Sequence, residues 1–161
     1  MAKDVGGNDW NLFKFLFFDP QGILYGVRDG KLYKRSLPTH RNDLWYKSAE
    51  VLGSDGWDVF DFLFFDPMGM LYAVRRGNFY KGHPPKAADD TWLASSTLIG
   101  IGGGGDFKFL FFMTSVELYG VYNGNFYKGS PPADARVDWV ATAEKIGSGG
   151  WDEFDYLICP L

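Results

Sequence analysis

The sequence predicts an all-β fold, a β-propeller of four-stranded antiparallel blades, and three observations predict it. A phenylalanine-rich run recurs at a fixed 47-residue period, starting at Phe13, Phe60, Phe107 and Phe154 with no insertion between copies. Each copy carries tight-turn signatures between short apolar runs. Aromatic residues make up 19 % of the 161-residue chain and glycines number 21, a composition suited to strands joined by tight turns. Four short strands in a period near this size make one propeller blade. One domain over 1–161 then divides into blades at 13–59, 60–106 and 107–153, with 154–161 a fourth, extra inner strand.

The strands follow in order within each repeat. Phe13-Lys14-Phe15-Leu16-Phe17-Phe18 and its copies form the inner strand, whose apolar continuity predicts burial on both faces. Asp19-Pro20-Gln21-Gly22 and Asp66-Pro67-Met68-Gly69 then read as type I turns, with Pro presetting φ at the second position. The second strand is Leu24-Tyr25-Gly26-Val27, Leu71-Tyr72-Ala73-Val74 or Leu118-Tyr119-Gly120-Val121. It ends in Asp29-Gly30, Arg76-Gly77 or Asn123-Gly124, and the Asp-Gly and Asn-Gly pairs favour two-residue hairpins. The third strand carries Tyr33-Lys34, Tyr80-Lys81 or Tyr127-Lys128, read as a solvated strand edge. After a proline-bearing loop, the fourth strand runs from Trp45, Trp92 or Trp139 to Gly53, Gly100 or Gly147. The alternation and the hairpin turns argue against a helical solenoid of the same period.

Composition narrows the function. A formal charge of −4 leaves no basic face for a phosphate backbone, so nucleic acid is not an expected partner. No apolar run approaches a membrane span, and Met1 to Gly6 carry no signal-peptide core; the chain is expected to be soluble, with its location unknown. His40 and His83 do not recur in the third repeat and have no further ligands at metal spacing. Cys159 has no partner histidine in a motif, and no phosphate loop or nucleophile elbow is present. The repeated acids are equivalents rather than one asymmetric constellation, so the chain is not expected to be an enzyme.

The linked elements Phe-x-Phe-Leu-Phe-Phe-x-Pro-x-Gly-x-Leu-Tyr-x-Val, Tyr-Lys-x-x-Pro-Pro, Asp-x-Trp and Ile-Gly-x-Gly-Gly-Trp return along the chain in matching or variant form, and in the third repeat Met113-Thr114-Ser115-Val116 replaces the Asp-Pro-x-Gly turn. In this pattern the chain resembles the tachylectin-2 family of five-bladed β-propeller lectins. The resemblance implies binding of N-acetylglucosamine and N-acetylgalactosamine at one site per blade, in the recess between neighbouring blades, with no metal or cofactor. It also implies recognition of glycan polymers on microbial surfaces in innate defence. A protein-binding propeller scaffold without sugar specificity is the alternative, and a purely structural repeat module comes third.

A neutral amino sugar needs an apolar plate, a carboxylate or amide for its hydroxyls, and backbone groups that small residues leave open. Two loops in each repeat offer these. The loop before the outer strand supplies Asp43 and Trp45, Asp90 and Trp92, and Asp138 and Trp139. The loop leading into the inner strand supplies Gly56 and Trp57, and Gly150 and Trp151, with Asn8-Asp9-Trp10 as a variant. Strand alternation places the two loops at opposite ends of a blade, so both cannot be the primary contact unless the ligand sits deep. The third repeat has Gly103-Gly104 in place of the Trp and Arg136-Val137 in place of the acidic pair. A recess using Asp43 or Asp90 is therefore expected to bind better than one using Asp138.

A five-blade ring at this period needs more residues than the 161 present. Three blades would leave apolar faces bare at both ends, beyond a tolerable patch. The expectation is that chains close the propeller together, as a homo-oligomer with a dimer the simplest case, or that the sequence is a piece of a longer protein.

Overall fold

The computed structural model describes residues 2, 5–89 and 91–157. Among these, twelve strands form three four-stranded sheets, each an antiparallel meander. The first sheet is β1 (Phe15–Phe18), β2 (Leu24–Arg28), β3 (Lys31–Arg35) and β4 (Glu50–Gly53). The second is β5 (Phe62–Phe65), β6 (Leu71–Arg75), β7 (Asn78–Gly82) and β8 (Thr97–Gly100). The third is β9 (Phe107–Phe112), β10 (Leu118–Tyr122), β11 (Asn125–Gly129) and β12 (Glu144–Gly147). Between third and fourth strands lie single helical turns, α1 (Trp45–Ser48), α2 (Trp92–Ser95) and α3 (Trp139–Thr142).

The turn chemistry explains the registers. Asp19 Oδ1 accepts the backbone N–H groups of Gln21 at 3.0 Å and Ile23 at 2.9 Å, and Asp66 Oδ1 repeats this with Met68 and Met70, both at 2.9 Å. Both aspartates are buried, so the carboxylate replaces water for two turn amides. The β2–β3 hairpins have positive φ at both central residues: Asp29 and Gly30, Arg76 and Gly77, Asn123 and Gly124. That is the type I′ geometry whose twist matches the strands it joins. A register shift recurs between the third and fourth strands of every sheet, at Leu32/Tyr33, Phe79/Tyr80 and Phe126/Tyr127.

The chain forms two compact units, Met1–Val59 with Pro85–Trp92, and Phe60–Pro84 with Leu93–Leu161. In the first, Leu24, Tyr33 and Trp45 are the buried centre, with Trp10, Phe13 and Tyr46 packed against them. In the second, the β5–β8 and β9–β12 sheets share one core. Phe64, Tyr72, Val74 and Phe79 of one sheet meet Phe107, Leu110, Phe112 and Leu118 of the other. Each such buried side chain stabilises by about 1.5–3 kcal/mol.

Three details differ from the sequence reading. The outer tryptophans open helical turns, and the fourth strands begin five residues later, at Glu50, Thr97 and Glu144. The third strand is no edge: it lies between the second and fourth, Tyr33 is buried, and Lys34 lies over the Tyr25 ring at 5.6 Å. Residues 154–157 form no strand, because a strand needs a hydrogen-bonded neighbour and none pairs with them; Ile158 and the residues after it, including Cys159, lie outside the described residues. The inner strands also differ in burial. β5 is largely buried, whereas β1 alternates half-buried and exposed.

Candidate functional site

The connection from β11 to β12, residues 130–143, decides where the site lies. Trp139 is buried, and its indole N–H donates to the Ser130 carbonyl at 2.8 Å. This bond ties the end of the connection to its start, so the chain doubles back along the blade. Thr142 Oγ1 and the Ala143 N–H then close the α3 turn on the Trp139 carbonyl, at 3.0 and 2.8 Å. Asp138 stands at the N-cap position of that turn, exposed, and its carboxylate makes no capping bond.

The doubled-back chain meets the loop that leads into β9. Ile101, Gly102 and Gly103 on one side and Asp138, Val140 and Ala141 on the other enclose a pocket of 550 Å³, with Tyr122 completing its wall. Gly102 and Gly103 have φ of +75° and +77°, left-handed values that glycine adopts without steric cost. No atom lies within 4 Å of where their Cβ atoms would stand, so the backbone there is open to a ligand. The loop is held by the Gly102 N–H, which donates to Asn78 Oδ1 at 3.2 Å.

The two loops therefore converge instead of lying at opposite ends of a blade. Counting strands left the outer connection at the end of the third strand; the buried tryptophan bends it back. The first unit shows the same meeting: the Gly7 N–H donates to the Asp43 carbonyl at 3.0 Å, and the Ser54 N–H to the Ala88 carbonyl at 3.1 Å. Trp45 makes the corresponding pin, donating to the Ser36 carbonyl at 2.9 Å.

The other site candidates fall into separate places. Trp45, Trp92 and Trp139 are buried and present no ring face to a ligand. Trp57 is buried too, packed on Trp92 at 5.8 Å, as Trp10 packs on Trp45 at 5.9 Å. Gly56 and Gly150 keep left-handed φ of +78° and +77°, so the conformation recurs at the repeat position of Gly103. Trp151 is half-buried and lies on Phe126 at 4.6 Å. Asp90 lies outside the described residues.

Asp43 is not a free carboxylate. It is buried, Arg35 Nη1 donates to its Oδ1 at 2.7 Å, and that guanidinium holds its pKa below the ordinary value. Nearby, the Arg28 guanidinium covers the Tyr46 ring at 4.1 Å. Of the acids the structure describes, Asp138 lines a pocket and Asp43 is paired within its own chain. The sequence reading missed Tyr122, Ile101, Gly102, Val140 and Ala141. One signal was present: Tyr122 occupies the repeat position held elsewhere by Arg28 and Arg75.

The pocket combines an exposed carboxylate, open backbone at two glycines and an aromatic wall, and no cationic residue lines it. That set can accept hydroxyl hydrogens, donate amide hydrogens and cover an apolar ring face. Among the described residues no cluster of three or more His, Cys, Asp or Glu could hold a metal ion, and no helix is long and apolar enough to cross a membrane. A second pocket in the same unit, of 520 Å³, lies between Met70, Lys81, Ile99 and Pro132 and contains no carboxylate.

Comparison with known proteins places the chain. The sequence model of the family described as Tachylectin matches residues 1–98 and 64–160. No curated protein matches. A solved structure described as "The de novo evolutionary emergence of a symmetrical protein is shaped by folding constraints" matches with a TM-score of 0.89 and 42 % identity. The match covers 93 % of this chain and 64 % of that one, so this chain spans less than two thirds of its length.

Proposed function

The chain belongs to the tachylectin family, and on that premise we propose that it is a carbohydrate-binding lectin. Its site is the recess formed by Gly102, Gly103, Tyr122 and Asp138. The observation that carries this reading is the convergence on one pocket of an unpaired carboxylate and a backbone left uncovered at Gly102 and Gly103. A pyranose presents donors and acceptors around its rim and a C–H face. In this reading Asp138 accepts from adjacent hydroxyls, the glycine backbone meets the ring oxygens or an acetamido carbonyl, and the Tyr122 ring lies against the apolar face. The ligand is N-acetylglucosamine or N-acetylgalactosamine, the acetyl methyl resting on Val140 and Ala141.

Binding is weak per site and gains strength when several sites meet one polymer, through effective concentration alone. Dense glycans on microbial surfaces, as in innate defence, fit that mode. The chain holds its ligand without transforming it, and needs no metal or cofactor. The test is a glycan array run with and without a divalent-ion chelator, on the wild type and on Asp138→Ala. Sugar-selective binding that survives the chelator and falls at least tenfold in the variant supports the reading. Binding unaffected by Asp138→Ala overturns the site, and binding to proteins without glycan selectivity favours a protein-binding scaffold.

A further inference from the structure

We infer that the 520 Å³ pocket beside Lys81 is a second binding site, and that it takes a small organic carboxylate. The pocket lies within the second unit, between the β6, β7 and β8 strands of one sheet and the Pro131–Ala133 segment of the next.

The observation behind this is a difference between repeats. In every sheet a lysine of the third strand stands opposite one residue of the fourth: Lys34 opposite Glu50, Lys128 opposite Glu144, but Lys81 opposite Thr97. Opposite charges facing each other across strands attract, and Lys128 Nζ lies 3.6 Å from Glu144. Lys81 keeps the cation without that acid, and among the described residues it makes no ion pair. The turn acid does not account for the difference, because Asp66 is the counterpart of Asp19 and is engaged by two amides of its own turn. Burial first, and then the charges of Asp19 and Glu50, push the Tyr25 hydroxyl up; at Tyr72 burial and Asp66 act, with Thr97 at the position of Glu50.

The rest of the pocket suits an anion with an organic body. Lys81 is half-buried, its ammonium 5.5 Å from the centre of the Tyr72 ring, and it shares the pocket with His83 and the exposed Thr97. A lysine ammonium can only donate, and its strongest bonds are to an ionised acceptor. Met70, Ile99 and Pro132 supply an apolar wall that an inorganic ion would leave uncovered. The volume falls within the range of small-molecule sites, about 300–1,000 Å³. A carboxylate carried on a body of monosaccharide size meets both features. The recess at Asp138 has the opposite character, a carboxylate and no cation, and the inference does not rest on that recess binding a sugar.

The experiment is an amide NMR titration of the chain with glucuronate. Glucose, the same ring without the charge, and acetate, the charge without the ring, are the comparison probes. Glucuronate should give saturable shifts at Lys81, Thr97 and Ile99, glucose none there, and acetate weaker binding. Lys81→Met keeps the aliphatic stem over Tyr72 and should weaken glucuronate about tenfold or more, the effect of losing one charge-assisted hydrogen bond. Thr97→Glu returns the acid found in the other two blades and should weaken it as much. If Lys81→Met unfolds, Thr97→Glu decides alone. Asp138→Ala should leave glucuronate binding unchanged, which separates this site from the neutral-sugar recess. Glucuronate binding that survives the folded variants, glucose or acetate bound here as tightly as glucuronate, or no saturable shift at these residues overturns the inference.

Discussion

The indole of Trp57 lies directly over the α-carbon of Gly53, so closely that a Cβ at that glycine would overlap the ring. Gly6 with Trp10 and Gly147 with Trp151 repeat the relationship four residues apart. At the remaining repeat position Gly104 replaces the tryptophan, and the atoms nearest a Cβ at Gly100 would belong to Phe79 and Pro132, at 3.3 Å. Glycine and tryptophan therefore form one device: the missing side chain lets the aromatic ring close over the end of the outer strand.

Gly53→Ala should consequently cost about 1–3 kcal/mol, the usual range for overpacking a filled site. Gly100→Ala should cost less, because the Phe79 and Pro132 rings nearest its Cβ position stand at 3.3 Å, whereas the Trp57 indole would overlap a Cβ at Gly53. Urea denaturation of the two variants beside the wild type measures the difference. Equal losses would mean that strand packing, not the tryptophan, requires the glycine.

Arg76 holds φ of +50° where the equivalent positions are Asp29 and Asn123. A long side chain gains nothing in the left-handed region, whereas asparagine tolerates it. Arg76→Asn should raise stability by about 0.5–1 kcal/mol through the backbone preference alone. The backbone N–H that donates to Asp61 Oδ2 at 2.9 Å is retained in the variant. A lower thermal midpoint would show that the arginine side chain contributes a contact that outweighs the turn.

The Arg35–Asp43 pair predicts a pH dependence. The folded pKa of Asp43 lies below its ordinary 3.8, chiefly through the hydrogen bond from Arg35. A depressed carboxylate pKa contributes stability above the unfolded value and loses it as pH falls through the folded value. Stability should therefore drop below about pH 4, and Asp43→Asn should flatten part of that limb. Asp43→Ala should lower the denaturant midpoint more than Asp138→Ala, since only Asp43 is buried against a cation. Equal midpoints would make Asp43 a surface residue in effect.

The strands and hairpins were legible because the 47-residue period repeats every local signal, and Asp-Gly and Asn-Gly turns specify their geometry within four residues. Arg76-Gly77 adopts the same turn because the strands on both sides are already paired. The outer helical turns were not legible: Trp45-Tyr46-Lys47-Ser48 is too short to show a 3.6-residue period. The site was half legible. Asp138 stood out as a residue type and the glycine loop at 102–105 did not, and their meeting depends on the bond from Trp139 to the Ser130 carbonyl, which joins residues nine apart. Asp43 misled because its neutralising partner, Arg35, has glycines at its repeat positions, Gly82 and Gly129, so the pair is private to one blade.

A sugar seated in the recess between the glycine loop and Asp138 is what we propose. The most direct measurement is an amide NMR titration of the chain with N-acetylglucosamine, with N-acetylmuramate or glucose as comparison ligands. Saturable shifts are expected at Gly102, Gly103 and Asp138, smaller or absent with glucose, and lost in Asp138→Ala while the rest of the spectrum is unchanged. Saturable shifts confined to Lys81, Ile99 and Pro132's neighbours, or no shift at any sugar concentration, would contradict it.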